Sequence, residues 1–227
     1  MTFRVFMGWD DRERVAFDVA QRTLRKFDLE ATPLNFERLA AAGLFRRPVD
    51  RRGQFYDIVS NAPCSTDFAA SRFLTPILAQ SGWALFVDCD VVFLRDPRAM
   101  LLESDARYAV QVVKHKNGHK AGKKMGGLEQ VLYPRKNWSS VMLFNCDHPA
   151  NRRLTLADVS ERPGRDLHAF YWLADSEIGG LDPSWNWLVG VQPKPEEPRI
   201  AHFTLGGPWL PEWAGAEYDE IWTGATK

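Results

Sequence analysis

Apolar positions along this chain keep two rhythms. Runs that are apolar at every position predict strands covered on both faces, and 83–87 (Trp-Ala-Leu-Phe-Val) and 141–144 (Val-Met-Leu-Phe) are the clearest. Residues 3–7, 31–36, 108–113 and 200–203 read as further short strands. Between them, apolar residues return at helical spacing. Val15, Phe17, Val19, Ala20, Leu24 and Phe27 predict a helix over 12–27, with Asp10 or Asp11 as its N-cap. A short helix over 37–44 stops near Gly43, and 46–54 is a polar loop with Pro and Gly. A longer helix is predicted from 64 to 78, through Phe68, Ala69, Phe73 and Leu74 and past Pro76, with Ser65 or Thr66 as N-cap. Helical segments follow at 98–102, 154–159 and 166–173, then a Pro-rich connector over 191–199. Strands alternating with helices predict an α/β domain whose ligand crevice lies at the carboxyl ends of the strands.

The central apolar run ends in two carboxylates, Asp88-Cys89-Asp90. Burying charge costs several kcal/mol unless it is paired or metal-bound, so both belong at the strand's crevice end. Residues two apart on a strand point the same way, so Asp88 and Asp90 can converge on one hard cation, Mg²⁺ or Mn²⁺. The competing reading is two solvated aspartates in a turn. His202, between a strand and Gly206-Gly207, is either a structural histidine or a third ligand. The two glycines would let backbone N–H groups approach a phosphate. Gly8-Trp9-Asp10 closes the first strand; Gly8 permits a close backbone approach, and Asp10 either caps a helix or accepts from a base or ribose. Arg72 sits among apolar neighbours and must reach an anion or a carbonyl: a substrate, or a structural partner such as Asp67 or Asp96. Asn137-Trp138-Ser139-Ser140 precedes a buried strand and offers hydrogen bonds to sugar hydroxyls, or is a polar turn. Residues 114–127 are basic, Gly-rich and without apolar period, which predicts a mobile loop able to close over a diphosphate or to stand as a solvated flap.

Composition narrows the function classes. A chain of 227 residues with 45% hydrophobic content supports one sizeable core. Lys+Arg and Asp+Glu balance at 29 each, so no global basic field argues for nucleic acid. The 3 cysteines are widely spaced and match neither a zinc site nor a disulfide framework; Cys89 and Cys146 read as reduced core residues in a cytoplasmic protein. The N-terminus reads as a strand rather than a signal peptide, and no apolar run reaches membrane-spanning length, which leaves only peripheral membrane contact open.

These segments, in this order, resemble the retaining family 8 glycosyltransferases, of the GT-A nucleotide-diphospho-sugar transferase fold, and a small bacterial or phage member of them. Met7-Gly8-Trp9-Asp10 resembles the loop that holds the nucleotide base. Arg72 resembles the helix arginine that contacts the donor, and Phe86-Val87-Asp88-Cys89-Asp90 the Asp-x-Asp strand. Residues 137–145 resemble the Asn-x-Gly-Val-Met-Leu-Ile-Asn segment that touches the donor sugar. Asp175-Ser176-Glu177, with Trp185-Asn186, resembles an Asp-Gln segment near the reaction centre. Residues 202–209 resemble the closing His-x-x-Gly-x-x-Lys-Pro-Trp motif, one residue shorter and with Gly207 where a diphosphate-binding lysine stands; Lys136 or a lysine of 114–124 is the candidate replacement. The resemblance implies one domain: a nucleotide-binding half over 1–113, a mobile loop over 114–136, and a donor-sugar and acceptor half over 137–227. It implies Mn²⁺ or Mg²⁺ on Asp88, Asp90 and His202, with Asp88 also in the donor site, a nucleotide-diphospho-sugar donor (UDP-linked, hexose-type), and a glycan, lipid-linked or other hydroxyl acceptor. Asp175 and Arg72 are then the catalytic candidates, and transfer proceeds with retention. A sugar nucleotidyltransferase, a non-catalytic or hydrolytic nucleotide-sugar-binding protein and a DNA-modifying glycosyltransferase are the alternatives.

Overall fold

The computed structural model describes residues 2–115, 123–124, 128–129, 135 and 137–226. Most of the glycine-rich loop expected over 114–127, and Lys136, lie outside them. The first apolar runs form β1 (Phe3–Gly8) and β2 (Ala31–Leu34). They are joined by α1 (Arg14–Arg25), which buries Ala16, Phe17, Val19, Ala20 and Leu24. The central run forms β3 (Trp83–Val87), every residue of it buried, and after Asp88-Cys89-Asp90 the chain continues as β4 (Val91–Phe93). Then come β5 (Val110–Val112), β6 (Val141–Asn145), β7 (Ile178–Gly180), β8 (Trp187–Leu188) and β9 (Ile200–His202).

Six strands form the main sheet in the order β7-β5-β6-β3-β1-β2. Only β6 runs against its neighbours; β1 pairs parallel with β2 and β3, and β5 with β7. This is the mixed, mostly parallel sheet expected, and β3 is central because both its faces are apolar. A second sheet, β8-β9-β4, lies beyond β3 and opposes His202 to Val91. Its apolar side packs with Ala16 and Val19 of α1 and with Phe203 and Trp222.

Local chemistry explains where elements differ from expectation. Asp10 caps a 3₁₀ turn, Asp11–Glu13, ahead of α1 rather than the α-helix itself, accepting from the Arg12 backbone N–H at 3.0 Å. The helix expected over 64–78 is a turn region followed by a 3₁₀ segment, Ser71–Leu74, and a short α-helix, Thr75–Ala79. Two contacts hold the first part in place: Asp67 donates its backbone N–H to Asp10 at 3.1 Å, and the Phe68 ring packs onto Gly8. Pro76 then falls in the first turn of the α-helix, where its missing N–H costs nothing. The helix expected over 166–173 ends at His168, and Phe170 at φ 57° turns the chain away. Cys89 and Cys146 are buried and unbridged, each just beyond a strand rather than inside it.

The β1 end depends on Gly8, because a Cβ there would lie 2.4 Å from the Phe68 ring. Gly8→Ala is expected to cost about 1–3 kcal/mol through overpacking, read as a lower thermal midpoint. An unchanged midpoint would show that Phe68 yields freely.

Candidate active site

The chain reversal after β3 brings Asp88 and Asp90 to the crevice end of the sheet, and β9 delivers His202 beside them. The Phe203 backbone N–H donates to the Asp90 carbonyl at 2.9 Å, which fixes the register. His202 Nε2 lies 3.2 Å from Asp90 Oδ1 and 4.0 Å from Asp88 Oδ2. All three side chains are buried, at 7, 2 and 0% exposure for Asp88, Asp90 and His202, and one ligand atom from each falls within 4.8 Å of the others.

Two residues control this group. Arg72 Nη1 donates to Asp88 Oδ1 and to the Ser139 carbonyl, both at 2.8 Å. Its guanidinium lies 5.1 Å from the centroids of both the Phe68 and Phe86 rings. Its carboxylate partner is therefore Asp88; Asp67 pairs with Arg12 and Arg51, and Asp96 with Arg98. Asn186, fully buried, is the second. Its amide N–H donates to Ser140 Oγ at 2.9 Å, which turns its carbonyl oxygen to His202 Nδ1, also at 2.9 Å. Nδ1 thus carries a proton toward Asn186, and Nε2, with no hydrogen-bond partner, faces the carboxylates, where its lone pair would serve a cation. Two carboxylates and an imidazole lone pair turned on one another are mutually repulsive unless a cation joins them, so the donor set fits Mn²⁺ or Mg²⁺.

Asp88 also borders a cavity of about 490 Å³, within the range that takes small-molecule ligands. Arg72, Asn137, Ser139 and Ser140 line it from the sheet side; segments around 45–67 and 163–168 close it. Ser139 Oγ and His168 Nδ1 share a hydrogen bond of 2.6 Å in its wall. Burial first, then the charges of Arg72 and Arg47, push the His168 imidazole well below its ordinary 6.5. Arg47 pins the far wall. It forks onto Asp57 through Nε at 2.9 Å and Nη2 at 2.5 Å, while its Nη1 donates to the carbonyls of Val159 and Arg162 at 2.9 and 2.8 Å.

The remaining sequence candidates are placed as follows. Gly8 holds the Phe68 ring, and Trp9 packs edge-on against Phe17 at 4.7 Å and donates to Asp11. Asp10 is buried and accepts from the backbone and guanidinium of Arg12 and the backbone of Asp67. Gly206, at φ 126°, lies where a Cβ would meet the Trp213 indole at 2.5 Å, and Gly207 where it would meet the Trp209 ring at 2.0 Å. Asp175 is exposed at 88% of its side chain and paired with Arg135 at 2.5 Å; Arg135 in turn lies over the Trp138 ring. The fold brings Asp88, Asp90, His202, Arg72, Asn137, Ser139 and Ser140 together; Asp175 is not among the residues that line the cavity. Asn186 was named only through the resemblance of Trp185-Asn186 to a segment near the reaction centre, without its role toward His202; His168 was missed, and nothing local marked it.

Comparison with known proteins gives a relative and the fold. Protein CDI of Arabidopsis thaliana is 40% identical over 229 residues, spanning 97% of this chain and 84% of that protein. No family model matches. Among solved structures, the glycosyltransferase GlyE of Streptococcus pneumoniae TIGR4 superposes at TM-score 0.60 with 13% identity, over 100% of this chain and 60% of GlyE. The bifunctional glycosyltransferase WbbM does so at 0.61 and 13%, over 99% of this chain and 49% of WbbM. The galactosyltransferase LgtC, in complex with donor and acceptor sugar analogs, gives 0.56 and 13%, over 99% of this chain and 95% of LgtC. The chain thus spans 60% of GlyE and about half of WbbM. At such identities the likeness establishes the fold, which is GT-A.

The depressed His168 sets an acid limit. Its unfolded form takes a proton below about pH 6.5 and its folded form does not, so stability is complete above that pH and is lost as pH falls below it. The slope is about 1.4 kcal/mol per pH unit. His168→Gln is expected to flatten the fall of the thermal midpoint between pH 7 and 5; an identical slope in the variant would remove His168 as the cause.

Proposed function

The chain belongs to the family of Protein CDI, and from its GT-A fold and the crevice at Asp88 we propose that it is a metal-dependent glycosyltransferase. It moves a hexose-type sugar from a nucleotide-diphospho-sugar, UDP-linked, to an acceptor hydroxyl, with retention. The carrying observation is the buried Asp88–Asp90–His202 set, with an imidazole nitrogen turned onto two carboxylates, at the edge of a ligand-sized cavity in a GT-A fold. The family 8 affiliation, the cytoplasmic location and the acceptor class of a glycan, lipid-linked or other hydroxyl belong to the same proposal. No helix among the described residues is long and apolar enough to cross a membrane.

Asp88, Asp90 and His202 would hold Mn²⁺ or Mg²⁺, which when bound supplies positive charge against the charge that develops on a departing diphosphate. The chain's own residues do the rest. Asn186 keeps the His202 proton on Nδ1, so Nε2 remains a donor of electrons. Arg72 neutralises Asp88, and its guanidinium in the cavity wall adds fixed positive charge beside a phosphate. Asn137, Ser139 and Ser140 present amide and hydroxyl groups to sugar hydroxyls on the cavity side of the same carboxylate. In this proposal the base lies at the Gly8–Trp9–Asp10 end of β1, the Gly206–Gly207 turn lies beside the diphosphate, and Lys136 or a lysine of 114–124 adds positive charge. Asp175 is the carboxylate proposed to stabilise charge at the anomeric carbon.

Thermal unfolding with UDP, GDP, ADP and CDP, each with and without Mn²⁺, tests the reading. One diphosphate at a hundredfold excess over Kd is expected to add about 2.7 kcal/mol, a rise of about 5 °C or more, only with Mn²⁺ and not in Asp90→Ala. No shift with any of them would sink the proposal and favour a non-catalytic protein. Asp90 is the informative position, because removing Asp88 would leave Arg72 buried without its charge partner at about 3–5 kcal/mol.

Asn186→Ala is expected to weaken Mn²⁺ binding about 10–100-fold, followed as free Mn²⁺ by electron paramagnetic resonance. Unchanged affinity would place His202 outside the ligand set.

A further inference from the structure

The cavity beside Asp88 has two chemically different ends. At the Asp88 end, the Arg72 guanidinium lines the cavity, and its positive charge suits an anion. Away from it, every carboxylate in the wall already has a cation. Asp57 is forked by Arg47, and Asp67 is paired with Arg51 and, at 3.4 Å, with Arg12. The remaining wall arginine, Arg165, is 78% exposed at its side chain and lies 3.4 Å from Asp166. Phe45, Phe55, Ala62, Pro63 and Ala70 fill much of the rest. Ser60, Asn61, Ser65 and Thr66 also line the cavity, and this arm of it holds the Ser139–His168 pair, an O···N contact of 2.6 Å. Ser139 is one residue from Ser140, whose carbonyl accepts the Asp88 backbone N–H at 2.9 Å, and its own carbonyl accepts from Arg72. A group bonded directly to a diphosphate at Asp88 therefore reaches the pair without crossing the crevice.

We propose that this arm selects an uncharged sugar on the donor, read by Ser139 and His168, and excludes sugars that carry a carboxylate. The inference rests on the glycosyltransferase reading and deepens it. A hydroxyl and an imidazole together donate to and accept from sugar hydroxyls, and the apolar wall takes the ring's carbon face. Apart from the exposed Arg165, held by Asp166, a sugar carboxylate would lose its water and find only cations already bound to wall carboxylates, a cost of several kcal/mol for a buried ion. His168 itself supplies no charge, since burial and its arginine neighbours keep it neutral. His168 is thus a specificity residue, contributed by the short helix Gly164–His168.

The test compares affinities for UDP, UDP-glucose and UDP-glucuronate with Mn²⁺, by calorimetry, in the full chain and in Ser139→Ala and His168→Asn. GDP and GDP-mannose run in parallel. UDP-glucose is expected to bind about three- to tenfold more tightly than UDP, and UDP-glucuronate no more tightly than UDP. In either variant the UDP-glucose over UDP ratio falls toward one, while retained UDP binding reports a folded site. If UDP-glucose gains over UDP equally in both variants, or UDP-glucuronate binds as well as UDP-glucose, the inference is overturned and the transferase reading survives. If no nucleotide binds, both fall together.

Discussion

Two carboxylates and an imidazole are buried in one small volume, and much of the chain serves to make that tolerable. Asp88 and Asp90 leave β3 at its crevice end, where Arg72 takes one oxygen of Asp88. His202 arrives on β9, fixed by its pairing with Val91. Asn186 decides which ring nitrogen holds the proton. Arg72 offsets part of the cost of burying the Asp88 charge. The cost of assembling the group falls on folding, and a bound divalent cation would return part of it.

The same economy shapes the cavity. A volume of about 490 Å³ beside a buried ion pair would collapse if its walls were loops held only by themselves. Arg47 prevents this by tying the 45–60 segment to the carbonyls of Val159 and Arg162, more than a hundred residues away in sequence. Because the guanidinium is spent on structure, it adds no free charge to the cavity. The wall stays electrically balanced, with one exposed cation at its mouth.

Much of this was legible in the sequence, and the reasons are local. Strands β3 and β6 could be placed because every residue in them is apolar, and the spacing of Asp88 and Asp90 follows from the two-residue period of a strand. The first helix could be placed from its stripe. The segment over 64–78 was misjudged because its conformation is set by Gly8 and Asp10, over 50 residues upstream, and not by its own pattern. Arg72 was known to need a partner, but the choice among Asp67, Asp96 and Asp88 is made in three dimensions. His168 carried no sign at all, since its role arises from Ser139 being 29 positions away in sequence and 2.6 Å away in space.

The sequence by itself determined the α/β architecture, the buried central strand, the crevice end at which Asp88 and Asp90 emerge, and His202 as a candidate third ligand. These follow from periodicity and from the cost of burying charge, both properties of short stretches. Tertiary structure alone decided that Arg72 pairs with Asp88, that Asn186 orients His202, and that Ser139 and His168 meet in a neutral cavity wall. Each of these joins side chains far apart along the chain, and hydrogen-bond geometry is fixed only when packing brings both partners to within about 3 Å.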